Sequence, residues 1–248
     1  TALQSLTDAV LYLQQYPFEC TEQIASRLMS VAALRDVLTA FRAEGLQSPE
    51  QIDAAVARDI DLLQKLQNPD GGWPFWTRGD ETVVYNSIFV AHALQLAVSK
   101  DYAVQPETLQ AAREFLRNVE AYYQPWYSAQ VRQTLSAYAL YVRWLMGDVD
   151  PVKARQVYGQ LPLDDASLEG LAWLWQVMGD DPGSAEQVAE IARRINNSAV
   201  ETAGMANFFS SYGDQDYVML HSNRRTDAIV LDALISEQSD SDLIVKVV

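Results

Sequence analysis

A single cysteine, Cys20, stands three residues before a glutamine, Gln23, at the start of an apolar-periodic segment. If a helix begins near Cys20, these positions share a face, with Cβ atoms about 5–6 Å apart. The thiol then reaches the carboxamide carbon of Gln23. Attack by sulfur with loss of ammonia would close an internal thioester, a stored acyl electrophile made from two ordinary side chains. The same spacing fits a buried structural cysteine followed by a surface glutamine, because free cysteine is among the most buried residue types. Pro17 disfavours helix at Tyr16 and so holds the helix start near Cys20. Glu22 falls in the first turn, where a carboxylate complements the helix dipole. It could also carry protons during thioester formation or cleavage.

The surrounding residues point to one of the two readings. The run Tyr16-Pro17-Phe18-Glu19-Cys20-Thr21-Glu22-Gln23 resembles the thioester signature of the α2-macroglobulin and complement family, Tyr-Pro-aromatic-x-Cys-x-Glu-Gln. Downstream, Asp70-Gly71-Gly72-Trp73-Pro74-Phe75-Trp76, followed by Thr82 to Leu96, resembles the glycine–aromatic loop and helix that follow the thioester helix in such domains. The resemblance implies that residues 1–248 are one thioester-containing domain of a much larger, secreted, cell-surface or periplasmic bacterial protein. Such a protein inhibits endopeptidases by covalent trapping: proteolysis elsewhere in the parent releases the thioester, and a nucleophile of the attacking protease takes up the acyl group of Gln23. Each thioester is consumed once, so this is capture and not turnover. The implied partners are attacking proteases and other domains of the parent, and no cofactor is implied. Tyr16, Phe18, Trp73, Phe75 and Trp76 would shield the thioester from water, although any one of them could be ordinary core.

The sequence departs from that family in two places. Glycine often flanks the cysteine in the family, whereas Glu19 and Thr21 stand here. Members that favour hydroxyl targets carry a histidine over a hundred residues later, whereas the stretch from Trp126 to Gln133 has none. Direct attack by amines is therefore expected over a histidine-dependent acyl-imidazole step. A non-covalent binding toroid, whose thioester no longer forms, is the alternative in a different class.

Helical periodicity dominates the rest of the chain. Helices are predicted near Leu3–Gln14, Thr21–Ala43, Pro49–Gln67, Glu81–Ser99, Pro106–Val119, Tyr127–Met146, Pro151–Gly159, Ala166–Met178, Ala185–Asn196 and Asn223–Glu237. Ser48-Pro49-Glu50 and Asp150-Pro151 carry helix-start punctuation, and Gly45, Gly147 and Gly179 stand where helices end. The helix–turn–helix rhythm predicts an all-α fold, an α/α toroid of paired helices. Residues 199–220 read as an irregular excursion with a short hairpin, and the tail from Asp242 to Val248 as the start of another apolar helix.

Composition narrows the rivals. A net charge of −15 argues against nucleic acid and anionic membranes. No apolar run is long enough to span a bilayer. With one cysteine and two histidines, His92 and His221, no metal site is supported. His92 reads as a satisfied histidine on an apolar face. His221 borders a polar helix start that could meet a neighbouring domain. Gln67-x-x-x-Gly71-x-Trp73 resembles the glutamine–tryptophan motif of triterpene cyclases, also α/α toroids, where it ties helix ends together. Those enzymes need an Asp-rich acid motif, and Leu163-Asp164-Asp165-Ala166 reads instead as a plain helix start. The acids at Asp180-Asp181 and Asp240–Asp242 read as solvated loops.

Overall fold

The structure, a computed structural model, describes residues 12–13, 18–41 and 48–247, with side chains of 35–41 left aside. Most of the first predicted helix, Tyr16, Gly45 and Val248 lie outside the described residues. Among the described residues, nine α-helices and one two-stranded ribbon make up the regular structure, so the class is all-α as the periodicity predicts. The chain divides into two compact units, Thr1–Phe115 and Leu116–Val248.

In the first unit, helix α1 (Thr21–Phe41) packs against α2 (Pro49–Leu66) and α3 (Val84–Ser99). The packing follows the spacing of apolar side chains. Ile24, Leu28, Val31 and Ala32 are buried on α1, and Ile52, Val56, Ile60 and Leu63 on α2. Helix α3 is buried nearly all round, and it carries two buried polar residues, Asn86 and Ser87, in its first turn. Its start lies three residues later than predicted, because the Val83 N–H is taken by the Trp73 carbonyl at 3.0 Å, holding that stretch extended. Helix α4 (Pro106–Arg117) follows.

The loop between α2 and α3 is tightly bonded. The Gln67 amide donates to the carbonyls of Gly71 and Thr108, both at 3.0 Å, and the Trp73 indole N–H donates to Leu63 O at 2.7 Å. The glutamine–tryptophan motif therefore ties helix ends together. Gly71 has φ +89°, and a Cβ there would lie 2.2 Å from the Ala111 carbonyl oxygen; only glycine fits.

In the second unit, α7 (Leu168–Met178) is buried along its whole length. Around it pack α5 (Ala129–Leu145), α6 (Pro151–Tyr158), α8 (Ala185–Ser198) and α9 (Asn223–Glu237). Trp173 of α7 stacks on Tyr138 of α5 at 4.1 Å. Ser128 and Ser167 cap α5 and α7, starting each helix two residues inside its predicted bound. The helix predicted to reach Val119 ends at Arg117, and a short 3₁₀ turn follows.

The expected hairpin is β1 (Val200–Thr202) paired antiparallel with β2 (Met205–Asn207) through Ala203-Gly204, both at positive φ. The Tyr217–Leu220 run takes no part in it and forms turns. The tail is likewise turns and not a helix: Lys246 N–H bonds back to Leu243 O, and Lys246 O receives the Ala206 N–H of β2. Gly147 has the left-handed φ of a helix end, +75°, but Gly179, at φ −53°, stays right-handed.

Candidate functional site

Helix α1 opens immediately after Cys20, whose carbonyl accepts the Ile24 N–H at 3.0 Å. Cys20 is thus the N-cap and Gln23 the third helical residue. The Gln23 Oε1 accepts the Cys20 backbone N–H at 3.3 Å, which folds the carboxamide back over the helix start. This is the glutamine half of a capping box. It brings the Gln23 carboxamide to the backbone of Cys20 at the helix end. Cys20 is 5% exposed, whereas Gln23 and Glu22 are half-buried. Burial pushes the thiol pKa up, opposed by the backbone N–H groups of Gln23 and Glu22. Those N–H groups favour charge on sulfur, which is what a departing thiolate needs.

The turn is anchored on both sides by the residues that depart from the family pattern. Thr21 is wholly buried. Its N–H donates to Phe75 O at 2.8 Å and its hydroxyl to Pro74 O. Asn86 then donates to the Thr21 hydroxyl at 2.6 Å and to Pro74 O at 3.0 Å. Glu19 pairs with Arg27 at 3.3 Å, and Arg27 forks onto buried Asp59 at 2.7 and 2.8 Å. Both departures therefore have local work: Thr21 joins α1 to the tryptophan loop, and Glu19 ties the approach to Cys20 onto α1 and α2.

The aromatic set divides. Trp73 is fully buried and serves as core, with its indole turned onto α2 and not forming a rim. Phe75 is half-buried beside Thr21, whereas Phe18 and Trp76 are 57% and 58% exposed. Asn86, Ser26 and the Arg27–Asp59 pair are site neighbours that the sequence reading did not single out. The one available signal was Asn86-Ser87 inside an otherwise apolar helix. Ser26 Oγ donates to Glu22 at 2.8 Å.

His92 is half-buried, and burial lowers its pKa to about 4, in keeping with a neutral packed histidine. In the second unit, His221 does not face outward from a polar helix start. Its side chain is buried 3.6 Å from Glu169. Glu169 also receives Arg225, Tyr212 and Thr226. Burial pushes Glu169 up, but His221, Arg225 and Tyr212 outweigh it and hold its pKa at about 2. Asp181, read as a solvated acid, pairs with Arg155. In the histidine-free stretch from Trp126 to Gln133, Trp126 stands exposed and edge-on to Tyr127 at 4.6 Å. Among the described residues, no group of histidine, cysteine and carboxylates could hold a metal ion, and no helix is long and apolar enough to cross a membrane.

No protein-family model matches the chain. Salmonella α2-macroglobulin reacted with methylamine superposes with a TM-score of 0.80 at 20% identity, over 98% of this chain and 15% of that one. The chain has the fold of one segment of α2-macroglobulin. Trypsin-activated α2-macroglobulin from Escherichia coli superposes at 0.73 and 19% identity, over 94% of this chain and 15% of that one. The α/α toroid class expected from the sequence stands with these likenesses. By sequence, the α2-macroglobulin of Rickettsia conorii is 25% identical over 115 residues, 44% of this chain. The circularly permutated Ras protein 2 of Dictyostelium discoideum is 25% identical over 268 residues, covering all of it. The chain spans only 6–7% of the length of these two relatives.

Proposed function

We propose that residues 1–248 are the thioester-bearing domain of an α2-macroglobulin-like protein, with Cys20 and Gln23 as the cross-linked pair. The observation that carries this is the capped turn: a buried thiol at the N-cap with the Gln23 carboxamide folded back onto the same residue. Sulfur bonds to Gln23 Cδ, the C–N bond breaks, and ammonia leaves with the thiol proton. Glu22 stands in the same turn to relay that proton. The parent, periplasmic or secreted, would hold this bond until an attacking protease cuts it elsewhere. An amine of the protease would then take the acyl group, leaving a free Cys20. The domain acts once and is no enzyme. Phe18, Trp76 and half-buried Phe75 would complete the water-excluding cover together with Tyr16 and other domains of the parent.

Intact mass before and after methylamine tests the proposal. The parent should weigh one ammonia less than its sequence, show no titratable Cys20, and gain one methylamine at Gln23 as one thiol appears. Cys20→Ala should do neither. A full-length mass and a free thiol in the untreated parent would leave the non-covalent binding reading in its place.

A further inference from the structure

A cleft of about 260 Å³ opens beside the reacting turn, and its lining includes Gln23 itself. Glu22 and Ser26 line one part, with the Ser26 hydroxyl bound to the Glu22 carboxylate at 2.8 Å. Tyr12, Leu13 and Phe18 line the rest, and Tyr12 and Phe18 are more than half exposed. Arg27 also borders it, but that guanidinium is committed to Asp59 and Glu19. The other charge nearby is Arg58, engaged with Asp59 and 3.7 Å from Glu19; the Cys20 thiol is a titratable group whose pKa burial raises, with the Glu22 charge adding to that. Glu22 is therefore the carboxylate of this cleft that no basic side chain pairs with among the described residues.

We propose that this cleft is the seat through which a nucleophile reaches Gln23 Cδ, and that the Glu22–Ser26 pair selects a nitrogen carrying an alkyl stem. The proposal rests on the thioester reading above. A neutral amine bonds through nitrogen to Gln23 Cδ, and the nitrogen becomes positive in the adduct. A carboxylate fixed beside it stabilises that charge as it develops and accepts the proton. The C–S bond then breaks, and the Cys20 thiolate takes that proton from Glu22. The balance is amine plus thioester giving amide plus thiol, with Glu22 unchanged. The Ser26 hydroxyl holds the carboxylate in one orientation, which makes Ser26 a positioning residue. Tyr12, Leu13 and Phe18 present apolar and aromatic surface to the methylenes and to a cationic head group.

The test follows thiol release from the intact parent protein. In wild type, release should saturate with methylamine concentration and slow in the presence of tetramethylammonium, a cation with no N–H to acylate. Glu22→Gln should slow release at least about tenfold and abolish the tetramethylammonium effect. Ser26→Ala should slow it roughly threefold with the effect weakened. Linear dependence on methylamine with no tetramethylammonium inhibition in wild type would overturn the seat, whatever the variants do. If Glu22→Gln fails to form the thioester, the wild-type competition and Ser26→Ala still decide. A wild-type parent that releases no thiol at all and gains no methylamine would overturn the thioester reading instead, which is a distinct result.

Discussion

Two helix starts in the first unit share their third and fourth residues, Cys20-Thr21-Glu22-Gln23 and Ser48-Pro49-Glu50-Gln51. In both, the glutamine Oε1 accepts the N-cap backbone N–H, at 3.3 Å in the first and 2.9 Å in the second. In the second, the serine oxygen also accepts the Gln51 N–H, completing an ordinary capping box. The difference lies around the turn. Ser48, Pro49 and Glu50 stand in solvent, whereas Cys20 and Thr21 are buried against the tryptophan loop. Bringing a carboxamide back to the N-cap therefore needs no special device, because helix capping supplies it. What separates the two turns is sulfur in place of oxygen, and exclusion of water.

The largest effect should come from exchanging the capping atom. Cys20→Ser gives the first turn the chemistry of the second, so methylamine incorporation should vanish while far-UV circular dichroism stays that of the wild type. The reverse change, Ser48→Cys, places a thiol beside Gln51 in open solvent. It should titrate as a free thiol and give no ammonia loss by mass. A stable thioester between that introduced thiol and Gln51 would break the comparison, since burial would then not matter.

Next in size is the core beneath the buried turn. Trp73 is 0% exposed, and its indole N–H is bonded to Leu63 O. Trp73→Ala should cost about 3–5 kcal/mol and lower Tm by roughly 6–20 °C in a thermal melt. Pro49→Ala, at the exposed turn, should move Tm by little. Thr21→Val keeps the shape of the buried turn but removes the hydroxyl that Pro74 O and Asn86 use. It should cost about 1–3 kcal/mol and speed spontaneous thiol release, because the turn is then less firmly closed against the loop. An unchanged release rate would show that dryness does not depend on this anchor.

The helix start after Cys20 and the Gln67–Trp73 motif were legible in the sequence because each is carried by spacings of a few residues. Cys20 and Gln23 meet within one helical turn, and Gln67 and Gly71 within one loop. The supports were not legible. Arg27 meets Asp59, Thr21 meets Asn86 and Glu169 meets Arg225 across 32, 65 and 56 residues. Before folding, nothing in the neighbouring sequence names the partner of any of these polar residues. The same cause moved the start of α3: the Val83 N–H is claimed by a carbonyl ten positions earlier, which nothing in the local sequence announces. Trp73, read as shield or core, is buried with its indole on α2, since an aromatic in a glycine-rich loop gives no sign of which way it turns. Thr21 and Glu19 looked like departures that weaken a motif, and their contacts make them its anchors.

The smallest effect sharpens the comparison most. Gln51 and Gln23 make the same backward hydrogen bond, one in solvent and one at the edge of a buried turn. Gln51→Ala removes an exposed capping interaction and should cost about 0.5–1 kcal/mol, a shift of roughly 1–4 °C in Tm, with methylamine uptake at Gln23 untouched. Gln23→Ala removes the same bond but leaves the Cys20 N–H without its acceptor beside a buried thiol. An unpaired donor at such a site costs about 1–3 kcal/mol. Gln23→Ala should therefore be the more destabilising of the two by about 1 kcal/mol, measured by urea unfolding at matched m-values, and it should also leave a titratable Cys20. If the two alanine variants fall equally in stability, the two turns differ in the capping atom alone. The burial around Cys20 then contributes to the lifetime of the acyl group and not to the strength of the cap.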